Sequence, residues 1–97
     1  AGWGWKRVTN LDLNDALNFL NGAGAYSRSV KKAAIVPVQE GGRTDLIIFY
    51  QTGQSETPGQ WKQTSKNDNN ALQTFLGTTT QAEVVTTGNL FIVFYKQ

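Results

Sequence analysis

Apolar residues along this chain recur at two spacings, and the spacing predicts the element. From Leu13 they fall at i, i+4 and i+7, as Leu13, Leu17 and Leu20, with Ala16 between them. That rhythm lays one stripe along a helix of about three turns. Thr9, Asn10 and Asp12 offer oxygens to cap its start. Asp12 and Asp15 lie where the positive end of the helix dipole favours carboxylates. Gly22 stands where a chain commonly turns left-handed past the last helical turn. Leu72, Phe75 and Leu76 mark a second helix, with Ser65, Asn67 or Asp68 as its cap and Gly77 as its end.

Elsewhere the period is two. Trp3, Trp5 and Arg7 alternate with Gly4, Lys6 and Val8, which predicts a short strand over 3–8. A second strand runs to Gln39 from Val30 or Ala33. Pro37 lacks a backbone donor, so this strand is expected at a sheet edge or with a bulge. Glu40-Gly41-Gly42-Arg43 reads as a hairpin turn into a return strand over 44–51. Residues 52–60, TGQSETPGQ, have no apolar anchor and read as a linker. Strands follow over 61–64, 82–87 and 90–96, the last two joined by Gly88-Asn89.

The order βαββ thus occurs twice, and letters recur with it. Trp5-Lys6, Ala16-Leu17, Phe19-Leu20 and Phe49-Tyr50 match Trp61-Lys62, Ala71-Leu72, Phe75-Leu76 and Phe94-Tyr95. The predicted fold is α+β: two tandem βαββ units with pseudo-twofold symmetry, forming an antiparallel sheet with two helices on one face. Unit one spans about 3–51, the linker about 52–60 and unit two about 61–97, all within one domain.

The last strand of each unit is apolar on both sides. Ile47 and Phe49 oppose Leu46, Ile48 and Tyr50; Ile92 and Phe94 oppose Phe91, Val93 and Tyr95. An antiparallel sheet with one wet face alternates apolar and polar residues, so both sides of these strands should be covered. One helix per unit covers one side only. The other unit, a second copy of the chain or a ligand must cover the second. Leu46, Ile48, Tyr50, Phe91, Val93 and Tyr95 are therefore the candidate protein interface, and a homo-oligomer is expected.

Composition narrows the chemistry. The 97 residues include no cysteine and no histidine. Disulfides, thiolate nucleophiles and the usual neutral-pH base are absent. Asp12 and Asp15, spaced i, i+3, read as dipole partners rather than metal ligands, and the glycine pairs lack a phosphate-loop context. The expectation is a non-catalytic binding module with no cofactor and no bound metal. Charged residues make up 16% against the usual quarter, leaving a surface of Thr, Gln, Asn and Gly. Such a surface suits secreted, viral or assembling proteins, and a start at Ala-Gly suits signal-peptide removal. No apolar run reaches the ~20 residues that cross a bilayer.

Net charge is only +2, yet aromatics and cations mix at Trp3, Trp5, Lys6, Arg7 and Lys62. Bases stack on aromatic rings while Lys and Arg meet phosphates, so single-stranded nucleic acid is the second expected partner. Arg28, Lys31 and Lys32 add a smaller basic cluster. Trp5 and Trp61 are expected to anchor the core. Trp3 and Tyr26 are the aromatics expected at the surface.

Overall fold

The computed structural model describes residues 2–22, 30–53 and 59–97. Its elements are β1 (Gly4–Val8), α1 (Leu13–Leu20), β2 (Val30–Glu40), β3 (Arg43–Thr52), β4 (Lys62–Lys66), α2 (Asn69–Leu76), β5 (Gln81–Thr87) and β6 (Leu90–Lys96). The fold is α+β. Tyr26 and Arg28, and the middle of the expected linker, lie outside the described residues.

The helices begin and end for local reasons. Asp12 caps α1 by accepting from the Asp15 amide, and Asp68 caps α2 by accepting from the Ala71 amide, both at 3.0 Å. Gly22 follows α1 with φ of 81°, the left-handed conformation expected of it. Gly77 behaves differently: it ends α2 at φ −65°, an ordinary helical value. The threonines beyond it supply the termination instead. Thr78 and Thr79 donate both amide and hydroxyl to the Phe75 and Leu76 carbonyls.

The strands form two sheets, not the single sheet expected. Sheet 1 has the order β1-β3-β2 and sheet 2 the order β4-β6-β5, all neighbours antiparallel. β2 is an edge strand, as Pro37 requires; its irregularity falls at Val30/Lys32 rather than at the proline. β5 runs beside β2 without exchanging a backbone ladder. Splitting the sheet lets sheet 2 fold onto α1, so one core joins both halves. Val8, Leu46 and Ile48 of sheet 1, Ala16 and Leu20 of α1, and Trp61, Val85, Ile92 and Phe94 of the second half meet in it. Burying an aromatic or branched side chain there contributes about 1.5–3 kcal/mol.

The two helices are likewise not on one face. Phe19 of α1 packs edge-on against Tyr50, on the Leu46/Ile48 side of sheet 1. Phe75 of α2 packs edge-on against Tyr95. Tyr95 points away from Ile92 and Phe94, so α2 covers the side of sheet 2 turned from the shared core. The halves therefore meet through unlike faces: the helix side of the first and the helix-free side of the second. A twofold axis would bring like faces together, and this arrangement does not display the expected one. The physical reason is that α1, flanked by two sheets, buries Ala16 and Leu20 completely, while α2 has no fully buried residue.

Register also shifts the matching letters. Gly4 lies opposite Tyr50 and Lys62 opposite Tyr95. Counting back one residue from each, the structural counterpart of Trp61 is Trp3, not Trp5.

Candidate protein-interaction surface

Pairing in sheet 1 sets side chains in rows across its outer face, the face away from α1. Trp5, Phe49 and Ala34 form one row; Arg7, Ile47 and Val36 form the next. Asp45 and Val38 follow on one side, and Gln51 and Lys32 on the other. Alternation places Trp3 on the same face beyond Trp5. Among the described residues no element covers this face. Trp5 is 65% exposed, Trp3 55%, Val36 45% and Phe49 39%. These four are most of the exposed large apolar residues described. The others, Val84 and Leu90, stand apart on sheet 2.

One end of this face is charged and self-contained. Asp45 is fully buried. It accepts from the Asn10 amide at 2.8 Å and from Arg7 Nε at 2.9 Å, and Arg43 Nε lies 3.2 Å away. Arg7 also donates to Glu40 at 2.6 Å. The Asn10 amide, then the two guanidiniums, hold the Asp45 carboxyl below the usual carboxylate range against the opposing effect of burial. The same bond pins Asn10 and Leu11, both at positive φ (54° and 50°), where only a fixed turn keeps non-glycine residues.

The six residues expected at an interface lie elsewhere. Leu46, Ile48 and Val93 are fully buried within the chain. Tyr50 and Tyr95 are half-buried against the helix phenylalanines, and Phe91 is half-buried on the α2 side. Each helix took the side carrying these residues. In β6 the opposite side, Ile92 and Phe94, then fills the core; in β3 the opposite side leaves Phe49 exposed and Ile47 half-buried.

The residues expected to hold nucleic acid are brought together only in part. Trp3 and Trp5 share the open face. Arg7 is there too, but committed to Asp45 and Glu40. Lys6 points to the opposite side, 3.8 Å from Asp15 and above the Phe19 ring. Lys62 is exposed on β4, the far edge of sheet 2. Of the two expected core tryptophans, only Trp61 is one. Its indole donates to the Val30 carbonyl at 3.1 Å, and Asn21 bonds its backbone at both N–H and C=O. Trp5 is corrected to a surface residue, because β1 turns its odd-numbered positions away from α1. Phe49, Val36 and Ala34 were missed as surface residues; the alternation of Trp3, Trp5 and Arg7 against β3 carried the signal.

Comparisons with protein families, with curated proteins and with solved structures find no match to this chain.

Proposed function

We propose that this chain is a non-catalytic assembly module that binds protein through the outer face of sheet 1 and forms a homo-oligomer. The single observation behind this is the gathering of Trp3, Trp5, Val36 and Phe49 on one uncovered face. With aromatic side chains offering about 150–250 Å2 each, these residues leave on the order of 400 Å2 of apolar surface in water. Patches of about 300–600 Å2 are the largest on ordinary monomers and are often functional. Exposed tryptophans beside an arginine also match the residues that dominate interface energetics.

Part of the same proposal is that the halves are two copies of one βαββ unit. Supporting this are the identical element and strand orders, the Asp caps, and the paired Phe–Tyr contacts at 4.8 and 4.7 Å. A lysine also lies over the phenylalanine in each half, Lys6 over Phe19 and Lys66 over Phe75, though the two lysines come from strand positions that do not correspond.

Single-stranded nucleic acid is the second reading, favoured by the neighbouring exposed rings of Trp3 and Trp5. The dispersal of Lys6, Arg7 and Lys62 ranks it below protein binding. Sedimentation across a concentration series tests the leading reading: the wild type should associate, and Phe49→Glu should lose association while keeping its circular dichroism. A wild type that stays monomeric at high concentration, yet retains a labelled oligonucleotide at low salt and releases it as salt rises, would reverse the ranking.

A further inference from the structure

We propose that Asn21-Gly22 is a self-modification site, kept shut by the joint between the two halves, whose reaction holds that joint open once it has opened. Asn21-Gly22 is the only Asn-Gly pair in the chain. Asparagine is thermolabile through its own side chain, most of all before glycine, whose backbone nitrogen no Cβ crowds. In the reaction the Gly22 nitrogen attacks the carbonyl carbon of the Asn21 side chain. The new C–N bond closes a succinimide ring. The bond to Nδ2 breaks, and Nδ2 leaves as ammonia with the proton that Gly22 gives up. Water then opens the ring at one carbonyl or the other, leaving aspartate or isoaspartate at position 21.

The folded chain blocks each part of this step. Asn21 has ψ of 7°, so the Gly22 nitrogen eclipses the Asn21 backbone nitrogen and stands away from Cβ, out of reach of the side-chain carbonyl. The Gly22 amide donates to the Phe19 carbonyl at 3.0 Å. The carboxamide is held at both ends by Trp61: Oδ1 accepts from its amide at 2.7 Å, and Nδ2 donates to its carbonyl at 3.0 Å. The first two restraints lie in the last turn of α1, and helix ends fray readily. The third spans 40 positions of chain and ties α1 to the buried Trp61, which makes it the lock.

Reaction at position 21 destroys that lock. A carboxylate has no hydrogen to donate, so aspartate sets an acceptor against the Trp61 carbonyl. It also places a negative charge at the C-terminal end of α1, where the dipole opposes it and the last turn carries no basic residue to offset it. Isoaspartate adds a carbon to the main chain and shifts Gly22, held at φ 81°, relative to the helix.

The intact chain tests the site without substitution. After incubation at mildly alkaline pH, trypsin releases the peptide 8–28, whose fragment masses locate any converted asparagine. In urea above the unfolding midpoint, Asn21 should convert ahead of Asn14 and Asn18. In the folded chain it should convert roughly tenfold more slowly or less, in step with the rarity of opening. Equal rates folded and unfolded overturn the guard, and no preference for Asn21 in the unfolded chain overturns the site. Asn21→Asp carries one of the two products, and hydrogen exchange reads the joint in it. The Trp61 indole N–H should exchange about tenfold faster than in wild type, while the Ile48 amide in β3 exchanges as before. Exchange at wild-type rate for the indole, or equal acceleration at both groups, overturns the claim that this reaction opens the joint.

Discussion

Sheets 1 and 2 are built from the same strand order and end in nearly the same strand, yet one is sealed and the other half open. β6 has α2 on one side and the common core on the other. β3 has α1 on one side and, among the described residues, no element on the other. Phe94 and Phe49 each precede a tyrosine that packs on a helix, but Phe94 is fully buried and Phe49 is 39% exposed. The difference lies in what each sheet meets, not in the letters of its strands. A two-sided apolar strand states a demand for cover and leaves open who supplies it.

The comparison breaks most visibly under truncation. Phe94→Ala should cost about 3–5 kcal/mol by removing a fully buried aromatic. Phe49→Ala should fall within about 1 kcal/mol, since surface substitutions rarely cost more. Urea unfolding of the dilute monomer measures both. Similar losses at the two positions would mean that the outer face is covered within the chain.

Asp45 gives sheet 1 an acid sensitivity that sheet 2 lacks. Its folded pKa is depressed, so its contribution is present above the unfolded value of about 3.9 and is lost as pH falls through the lower folded one. Asp45→Asn should melt below the wild type at pH 7, and the gap should close on acidification below about pH 4. A gap independent of pH would deny the carboxylate this role.

Glu83, opposite Phe94 on β5, works in the reverse direction and more weakly. Burial raises its pKa, so stability is lost as pH rises through the raised value. Glu83→Gln should melt slightly above the wild type at pH 7, with the advantage disappearing below about pH 4.3, where both forms are neutral. Thermal melts at the two pH values decide it.

Local rules made most of the elements legible. The Leu13/Leu17/Leu20 stripe, the Gly41-Gly42 and Gly88-Asn89 turns and the Pro37 edge follow from neighbours in sequence. Long-range choices were not legible. Which side of β3 receives α1 depends on the pairing of Gly4 with Tyr50, across more than forty positions of chain. That pairing turned Trp5 outward. The identity of Trp61 as the core tryptophan depends on Asn21 and Val30, which no period in the second half reveals. The open face was legible only as a surplus of apolar residues. Leu46 and Ile48 were as good a guess as Ile47 and Phe49 until the helix chose between them.

The joint between Asn21 and Trp61 distributes tolerance to sequence drift unevenly. Asn21 reads only backbone, accepting the Trp61 amide at 2.7 Å and donating to its carbonyl at 3.0 Å. Those two bonds would survive most side chains at position 61 but require a short amide at position 21. The indole bond to Val30 adds the opposite constraint, fixing tryptophan at 61, while Val30 gives only its carbonyl to the bond and is held to an apolar side chain by its own burial. The two halves are thus clasped by a pair of side chains that each grip main chain. Their bonds depend on the path of the main chain at 61 and 30, and burial of Trp61 and Val30 is what holds that path.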